Sequence, residues 1–187
     1  MKMKLRTLQM KDALYMLEWM HDPEINKNFR FNAEDQTIET VQKFIELAQS
    51  DKNNKHFAIA NENDEYQGTI SLKDIDLDNL KAEYAICLRK CAQGKGTAQF
   101  ATKAILDFGF NEIGLNRIYL NVLSENIRAN RFYQKFGFVF EGETMEDIII
   151  REEKKNLRWY RILKNEYLNN SQMISQDHLH PSDMPPN

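Results

Sequence analysis

A short loop at residues 93–98, which contains two glycines, constrains the fold more than any other part of this sequence. Residues 82–88 before it are mostly apolar and predict a strand, and the apolar residues after it recur at helical spacing, predicting a helix at 96–110. Gly94 and Gly96 allow a tight turn, and the first N–H groups of the helix lack intrahelical acceptors. The unit therefore predicts a diphosphate site at the start of the helix.

The other segments predict a protein of the α+β class. Strands are expected at 2–8, 57–60, 68–72, 117–122, 138–151 and 156–163, and helices at 12–19, from Thr37 to about residue 48 and at 126–136. Leu14 should face inward on the first of these helices, and Phe44 on the second. Helices between the middle strands and hairpins at the ends indicate a mixed sheet.

A glycine loop alone also fits an ordinary turn that binds nothing. Neither the G-x-x-x-x-G-K-[ST] phosphate loop nor the three-glycine dinucleotide fingerprint occurs here. A second block, residues 126–138, has the sequence Asn-Ile-Arg-Ala-Asn-Arg-Phe-Tyr-Gln-Lys-Phe-Gly-Phe. Together the two blocks resemble the GNAT superfamily of acyl-CoA-dependent N-acyltransferases, with the loop pattern [QR]-x-x-G-x-[GA] and the later pattern N-x-x-[AS]-x-x-x-Y-x-[KR]-x-G-F.

The resemblance implies a mixed, mostly antiparallel central sheet flanked by helices, with a splay between the two central parallel strands. It also implies acetyl-CoA as co-substrate, no metal, and direct transfer of the acetyl group to an amine in a ternary complex. The loop amides would hold the diphosphate, and the preceding strand and Asn126 would contact the pantetheine arm. The implied CoA-binding residues are Ile86, Cys87, Leu88, Gln93, Gly94, Lys95, Gly96, Thr97, Ala98 and Asn126.

Tyr133 and Glu83 are the catalytic candidates. The resemblance places Tyr133 beside the CoA sulfur, where its protonated phenol could donate a proton to the departing thiolate. A packed aromatic side chain is the alternative interpretation. Glu83 is the candidate base for the attacking amine, and an ion pair with Arg117 on the neighbouring strand is its alternative role. If Glu83 is not the base, Glu24, Asp22 or His21 could serve.

Residues 19–25 resemble the W-x-x-D-P-E-[IV] segment of the branch that includes ribosomal-protein N-terminal acetyltransferases, the RimJ/RimL type. We expect a small primary amine as acceptor, with an amino-sugar nucleotide or a polyamine ahead of antibiotics. Six acidic residues between Asp12 and Asp35 could attract a cationic amine, although such an excess is also typical of a solvated surface. The alternatives are acetylation of a protein N-terminus and an acyl-CoA sensor without turnover.

Composition bears on partners and location. A net charge of −3 over 187 residues gives no reason to expect binding to nucleic acid or to an anionic membrane. No secretory or membrane-spanning segment is evident, so a cytoplasmic enzyme is expected, with a homodimer as one possible assembly. Residues 1–168 should form one domain, and the polar residues 169–187 a disordered tail in which His178 and His180 do not form a metal site.

Overall fold

The computed structural model describes residues 2–169. Its helices include α1 (Ala13–Met20), α2 (Pro23–Asn26), α3 (Ile38–Ser50), α4 (Thr97–Asp107) and α5 (Ile127–Phe136), and residues 164–169 after the last strand are also helical. Its strands are β1 (Lys4–Thr7), β2 (Lys55–Ala60), β3 (Tyr66–Asp76), β4 (Lys81–Leu88), β5 (Arg117–Leu123), β6 (Val139–Ile150) and β7 (Glu153–Leu163). Of the tail predicted at 169–187, only Asn169 belongs to the described residues, so His178 and His180 lie outside them.

The strands form one sheet in the order β1-β2-β3-β4-β5-β7-β6. Five of its neighbouring pairs are antiparallel, and β4 and β5 form the parallel pair. The parallel connection passes through α4, which continues as a π-helical segment (Phe108–Ile113) before β5 begins. The predicted α+β fold with its mixed, mostly antiparallel sheet is confirmed.

Side-chain alternation along the strands creates a large apolar cluster on each face of the sheet, and a small third cluster joins Leu123, Ile150 and Leu157. On one face, α4 and α5 cover residues such as Leu72, Tyr84 and Ile118. On the other face, α1 and α3 cover a smaller cluster that includes Ala58 and Tyr66. The sheet is therefore the middle layer between two layers of helix.

The inward-facing residues of two helices differ from the sequence prediction. Leu14 is 70% exposed, because α1 buries Ala13, Met16 and Met20, and these positions define a stripe that excludes Leu14. Phe44 is also exposed, at 36%. Its ring packs edge-on against His56, at the border of the contact between α3 and the sheet. The predictions that Leu14 and Phe44 face inward were therefore wrong. Each helix has more apolar residues than it can bury, so some apolar side chains remain exposed.

None of the helices within residues 2–169 combines the length and the apolar character that crossing a bilayer requires.

Candidate active site

The sheet opens in its middle, between β4 and β5. The two strands pair only at their beginnings, where Lys81 faces Arg117 and Glu83 faces Tyr119. Beyond this point the facing edges have no partner strand, and a cleft of about 1120 Å³ lies between and beside them. The predicted splay is confirmed, and it gives one side of β4 free backbone groups beside the cleft.

The glycine loop borders one end of this cleft. Gly94 and Gly96 have φ angles of 74° and 78°, in the left-handed region that glycine adopts without strain. A Cβ atom built on either residue would meet nothing within 4 Å, so open space lies in front of the loop. The backbone N–H groups from Gly94 to Gln99 form no well-aligned hydrogen bond with another residue of the described range. Such a row of free donors at a helix start fits the diphosphate of CoA.

Most of the predicted CoA-binding residues come together at the cleft, while Lys95 and Thr97 are not among its lining residues. Thr97 is instead buried beneath the loop, at 1% exposure. The predicted residues that do line the cleft are Ile86, Cys87, Leu88, Gln93, Gly94, Gly96, Ala98 and Asn126. Cys87 and Cys91 are both free, and burial raises the pKa of the Cys87 thiol, which stays protonated.

Asn126 is the N-cap of α5. Its Oδ1 atom accepts a hydrogen bond of 3.1 Å from the backbone N–H of Ala129. Its Nδ2 atom has no acceptor among residues 2–169 and remains available at the cleft. A pantetheine carbonyl is a suitable acceptor for this donor.

Asn130 supports this corner, and the sequence patterns did not indicate it. Its buried amide donates to the carbonyl oxygens of Leu123 and Asn126, at 3.0 and 2.8 Å, and its Oδ1 accepts from the Tyr160 hydroxyl at 2.8 Å. These bonds fix the turn from β5 into α5. A polar residue one turn after the N-cap, in an otherwise amphipathic helix, was the available signal.

Tyr133 lines the cleft and is 8% exposed. Its ring packs edge-on against Tyr84, with ring centroids 5.9 Å apart, and contacts Phe138 at 5.7 Å. Burial raises the pKa of the Tyr133 phenol above its ordinary value, because the phenolate would lose its hydration. The phenol therefore stays protonated at neutral pH and can act as a proton donor.

Glu83 lies at the point where β4 and β5 separate, and it is not among the residues that line the cleft. Its carboxylate pairs with Lys73 of β3 at 2.9 Å. The alternative pairing with Arg117 was wrong, because Arg117 makes a two-bond contact with Glu141 at 2.8 and 2.5 Å. Arg117 pairs with Glu141 rather than with Glu83 because β6 has a bulge at residue 141, which places the Glu141 carboxylate beside the guanidinium.

The three substitute bases lie in the segment that follows α1. Glu24 lines the cleft and is paired with Lys27 at 2.9 Å. The Asp22 carboxylate accepts from the backbone N–H of Glu24 at 2.9 Å as the cap of α2. A ring nitrogen of His21 lies 2.9 Å from the carbonyl oxygen of Gln36.

The acidic excess between Asp12 and Asp35 is mostly engaged in the fold. Asp12 is buried against Arg6, Glu18 pairs with Arg89, and Glu34 pairs with Arg151. Only Glu24 of the six acidic residues is among the residues that line the cleft.

A fold with a splayed parallel pair, a glycine loop at the start of α4 and a tyrosine on α5 defines a class of acyl-CoA-binding enzymes. Residues 2–139 match the family described as the acetyltransferase (GNAT) domain. The chain belongs to this family, and it is an acetyl-CoA-dependent N-acetyltransferase that acts on a small-molecule amine.

The individual similarities extend over nearly the whole chain. Spermidine N(1)-acetyltransferase of Escherichia coli K12 is 31% identical over 186 residues, which cover 96% of this chain and 95% of that protein. A crystal structure of Vibrio cholerae spermidine N-acetyltransferase with CoA and spermine has a TM-score of 0.82 at 25% identity, over 89% of this chain and 98% of that one. A dodecameric structure of the Vibrio cholerae enzyme has a TM-score of 0.76 at 26% identity, over 90% and 98%.

Proposed function

We propose that this enzyme transfers the acetyl group of acetyl-CoA to a primary amine of a polyamine such as spermidine or spermine. The observation that carries the proposal is the 31% identity to a spermidine acetyltransferase over 96% of the chain. The likeness to a structure that holds CoA and spermine supports it.

In this proposal the chain binds acetyl-CoA through backbone groups. The free N–H groups of the loop, from Gly94 onward, bind the diphosphate, and the unpaired edge of β4 at Ile86, Cys87 and Leu88 runs beside the pantetheine arm. Asn126 donates to a pantetheine carbonyl through Nδ2. Acetyl-CoA supplies an activated thioester, and these contacts hold it where the amine can reach the carbonyl carbon.

Tyr133 is the proposed general acid. When the amine nitrogen forms its bond to the carbonyl carbon, the carbon–sulfur bond breaks and the sulfur needs a proton. The neutral phenol of Tyr133, kept protonated by burial at the cleft, donates that proton.

Glu83 remains the proposed general base. Its carboxylate is 21% exposed and outside the cleft lining, so it would accept the amine proton through water. Glu24, which lines the cleft, is the alternative base.

The cleft also offers carboxylates that a cationic amine can use. Glu24 and Glu125 line it, and each is exposed and paired with a lysine, Lys27 and Lys155. Exposed ion pairs of this kind are weak, at about 0–1 kcal/mol. A polyamine ammonium group can therefore replace Lys27 without a large cost, whereas Lys155 is 18% exposed and also pairs with Glu153.

One observation favours a second candidate acceptor. Arg30 also lines the cleft, and its guanidinium contacts the Asn121 side chain, with no carboxylate partner among residues 2–169. A free cation at this position favours an acceptor with an anionic part, such as an amino-sugar nucleotide.

A thiol-release assay with purified enzyme and acetyl-CoA distinguishes these acceptors. The panel contains spermidine, spermine, an amino-sugar nucleotide and a peptide with a free N-terminus. We expect thiol release with spermidine and spermine, and a monoacetylated polyamine in the mass spectrum. Release with the peptide or the nucleotide alone would replace the polyamine assignment. Tight CoA binding without release in any mixture would indicate a sensor.

Location and assembly belong to the same proposal. A cytoplasmic location is supported by the two free cysteines, which suit a reducing compartment. Self-association is supported by the dodecameric relative. Light scattering coupled to size-exclusion chromatography tests it, and a strictly monomeric enzyme at micromolar concentration would contradict it.

A further inference from the structure

Most arginines of this protein are neutralised by carboxylates. Six of the nine arginines form ion pairs: Arg6, Arg89, Arg117, Arg151, Arg158 and Arg161. Arg30, Arg128 and Arg131 have no carboxylate partner within residues 2–169, and the first two of them line the cleft. An unpaired guanidinium in a binding cleft is a ready contact for an anionic ligand.

Arg128 lies at the cofactor end of the cleft, in the first turn of α5. Its Nη1 atom donates to Oε1 of Gln93 at 2.6 Å, across 35 positions of sequence. Gln93 in turn donates through Nε2 to the carbonyl oxygen of Leu88 at 3.4 Å. These two hydrogen bonds connect the end of β4, the glycine loop and α5 through the side chain of Gln93. They hold the Arg128 guanidinium beside the loop.

Two further cations line the same cleft as Arg128. Neither Lys90 nor Lys135 pairs with a carboxylate within the described range. Among these side chains, Arg128 alone is fixed by a contact to the loop, which lowers the entropy that it loses on binding a ligand.

We propose that Arg128 is a further CoA-binding residue whose guanidinium contacts a phosphate group of the cofactor, and that Gln93 positions it. Its Nε and Nη2 atoms have no acceptor within residues 2–169 and remain free for two phosphate oxygens. The inference rests on the acetyl-CoA part of the proposed function and is independent of the acceptor.

Calorimetry with CoA alone tests the role of Arg128 without any acceptor amine. We expect Arg128→Gln to weaken CoA binding by at least about tenfold, because the two charge-assisted hydrogen bonds to phosphate oxygens are lost at a solvent-exposed site. Arg128→Lys should recover part of the loss, because charge is kept and the planar fork is not. The KM for acetyl-CoA should rise by a similar factor, because the contact is made equally before and during the reaction.

Arg131→Gln is the matched control. Arg131 is exposed on the same helix, has no partner within residues 2–169 and does not line the cleft. The control removes the same charge and should leave the affinity for CoA unchanged. Equal affinities of the Arg128→Gln and wild-type enzymes would overturn the proposal, and so would equal losses in both variants. A wild-type enzyme that binds no CoA would instead contradict the acetyl-CoA activity itself.

Dephospho-CoA, which lacks the 3′-phosphate, identifies the phosphate. If Arg128 contacts the 3′-phosphate, Arg128→Gln and wild type should bind dephospho-CoA equally. If it contacts the diphosphate, the tenfold difference should persist. Either result supports the proposal once the loss with CoA is present.

A double-substitution cycle tests the positioning role of Gln93. If Gln93 acts through Arg128, Gln93→Ala should weaken CoA binding in the wild type and have little further effect in Arg128→Gln. Additive losses would contradict that part of the proposal.

Discussion

At the scale of single residues, Tyr133 keeps its proton because aromatic rings surround it. Tyr84, Phe132, Phe138 and Tyr160 all place their ring centroids within 6.1 Å of it. These contacts raise the pKa of the phenol, so that ionisation requires a more alkaline solution than for a free tyrosine. The Tyr133 phenol therefore holds its proton at neutral pH, and it can donate this proton directly to a ligand in the cleft.

Tyr133→Phe should lower kcat about 100-fold, with the affinity for acetyl-CoA changed less than about twofold, because only the hydroxyl of the proposed proton donor is removed. The matched control is Tyr84→Phe, which removes a buried hydroxyl next to Tyr133 but outside the cleft lining. The wild-type kcat should also show no decline up to about pH 9.5, since the phenol remains neutral there. Unchanged turnover in Tyr133→Phe would remove this residue from the mechanism.

Glu83→Gln should flatten the acidic limb of the kcat profile against pH, because the amide cannot accept the amine proton. Glu24→Gln is the matched comparison, since Glu24 lies in the cleft lining. If only Glu24→Gln flattens the acidic limb of the kcat profile, the general base is Glu24 and not Glu83.

At the scale of elements, the site depends on two interruptions of regular structure. Pairing between β4 and β5 stops after Glu83, and the backbone turns into α4 through two glycines in the left-handed region. The first interruption makes room for an extended ligand, and the second exposes a row of N–H donors beside it.

Gly96→Glu should abolish detectable CoA binding, because it places bulk and negative charge where we propose that the diphosphate binds. Gly114→Glu is the matched control. Gly114 has a φ of 84° and equally open surroundings, so the substitution brings similar backbone strain and the same charge outside the cleft lining. Calorimetry should show wild-type affinity in the control, and retained affinity in Gly96→Glu would move the cofactor elsewhere.

The sequence could predict these elements better than the contacts between them. The loop at Gly94 and Gly96 and the block around Tyr133 are local patterns, and the structure places them at one cleft. The Gln93–Arg128 contact joins residues 35 positions apart, and the partner of Arg117 depends on a bulge in β6. Such contacts follow from strand register and helix rotation, which spacing along the chain does not determine.

At the scale of the whole molecule, the apolar clusters on the two faces of the sheet contain buried tyrosines. Tyr66, Tyr84 and Tyr133 are at most 8% exposed, and burial raises the pKa of each phenol. Each phenol therefore keeps its proton in the folded state at a pH where the unfolded chain releases it. This contribution to stability is complete below the tyrosine pKa of the unfolded chain, near 10, and is lost as the pH rises above it.

Urea unfolding at several pH values measures this effect. We expect these three tyrosines to add little pH dependence below about pH 9, and to lower the free energy of unfolding by up to about 4 kcal/mol per pH unit above about pH 10. In Tyr133→Phe this slope should be about 1.4 kcal/mol per pH unit smaller, because one titrating group is gone. A constant free energy of unfolding up to about pH 11 would contradict the assignment of these phenols as buried and protonated.

In our proposal, the backbone at the start of α4 and the open edge of β4 bind acetyl-CoA. A crystal structure of the enzyme with CoA tests it most directly. We predict that the diphosphate accepts hydrogen bonds from the N–H groups of residues 94–99, with the pantetheine arm between β4 and β5 and the thiol beside Tyr133. Density for CoA outside this cleft, with the loop amides free, would contradict the account.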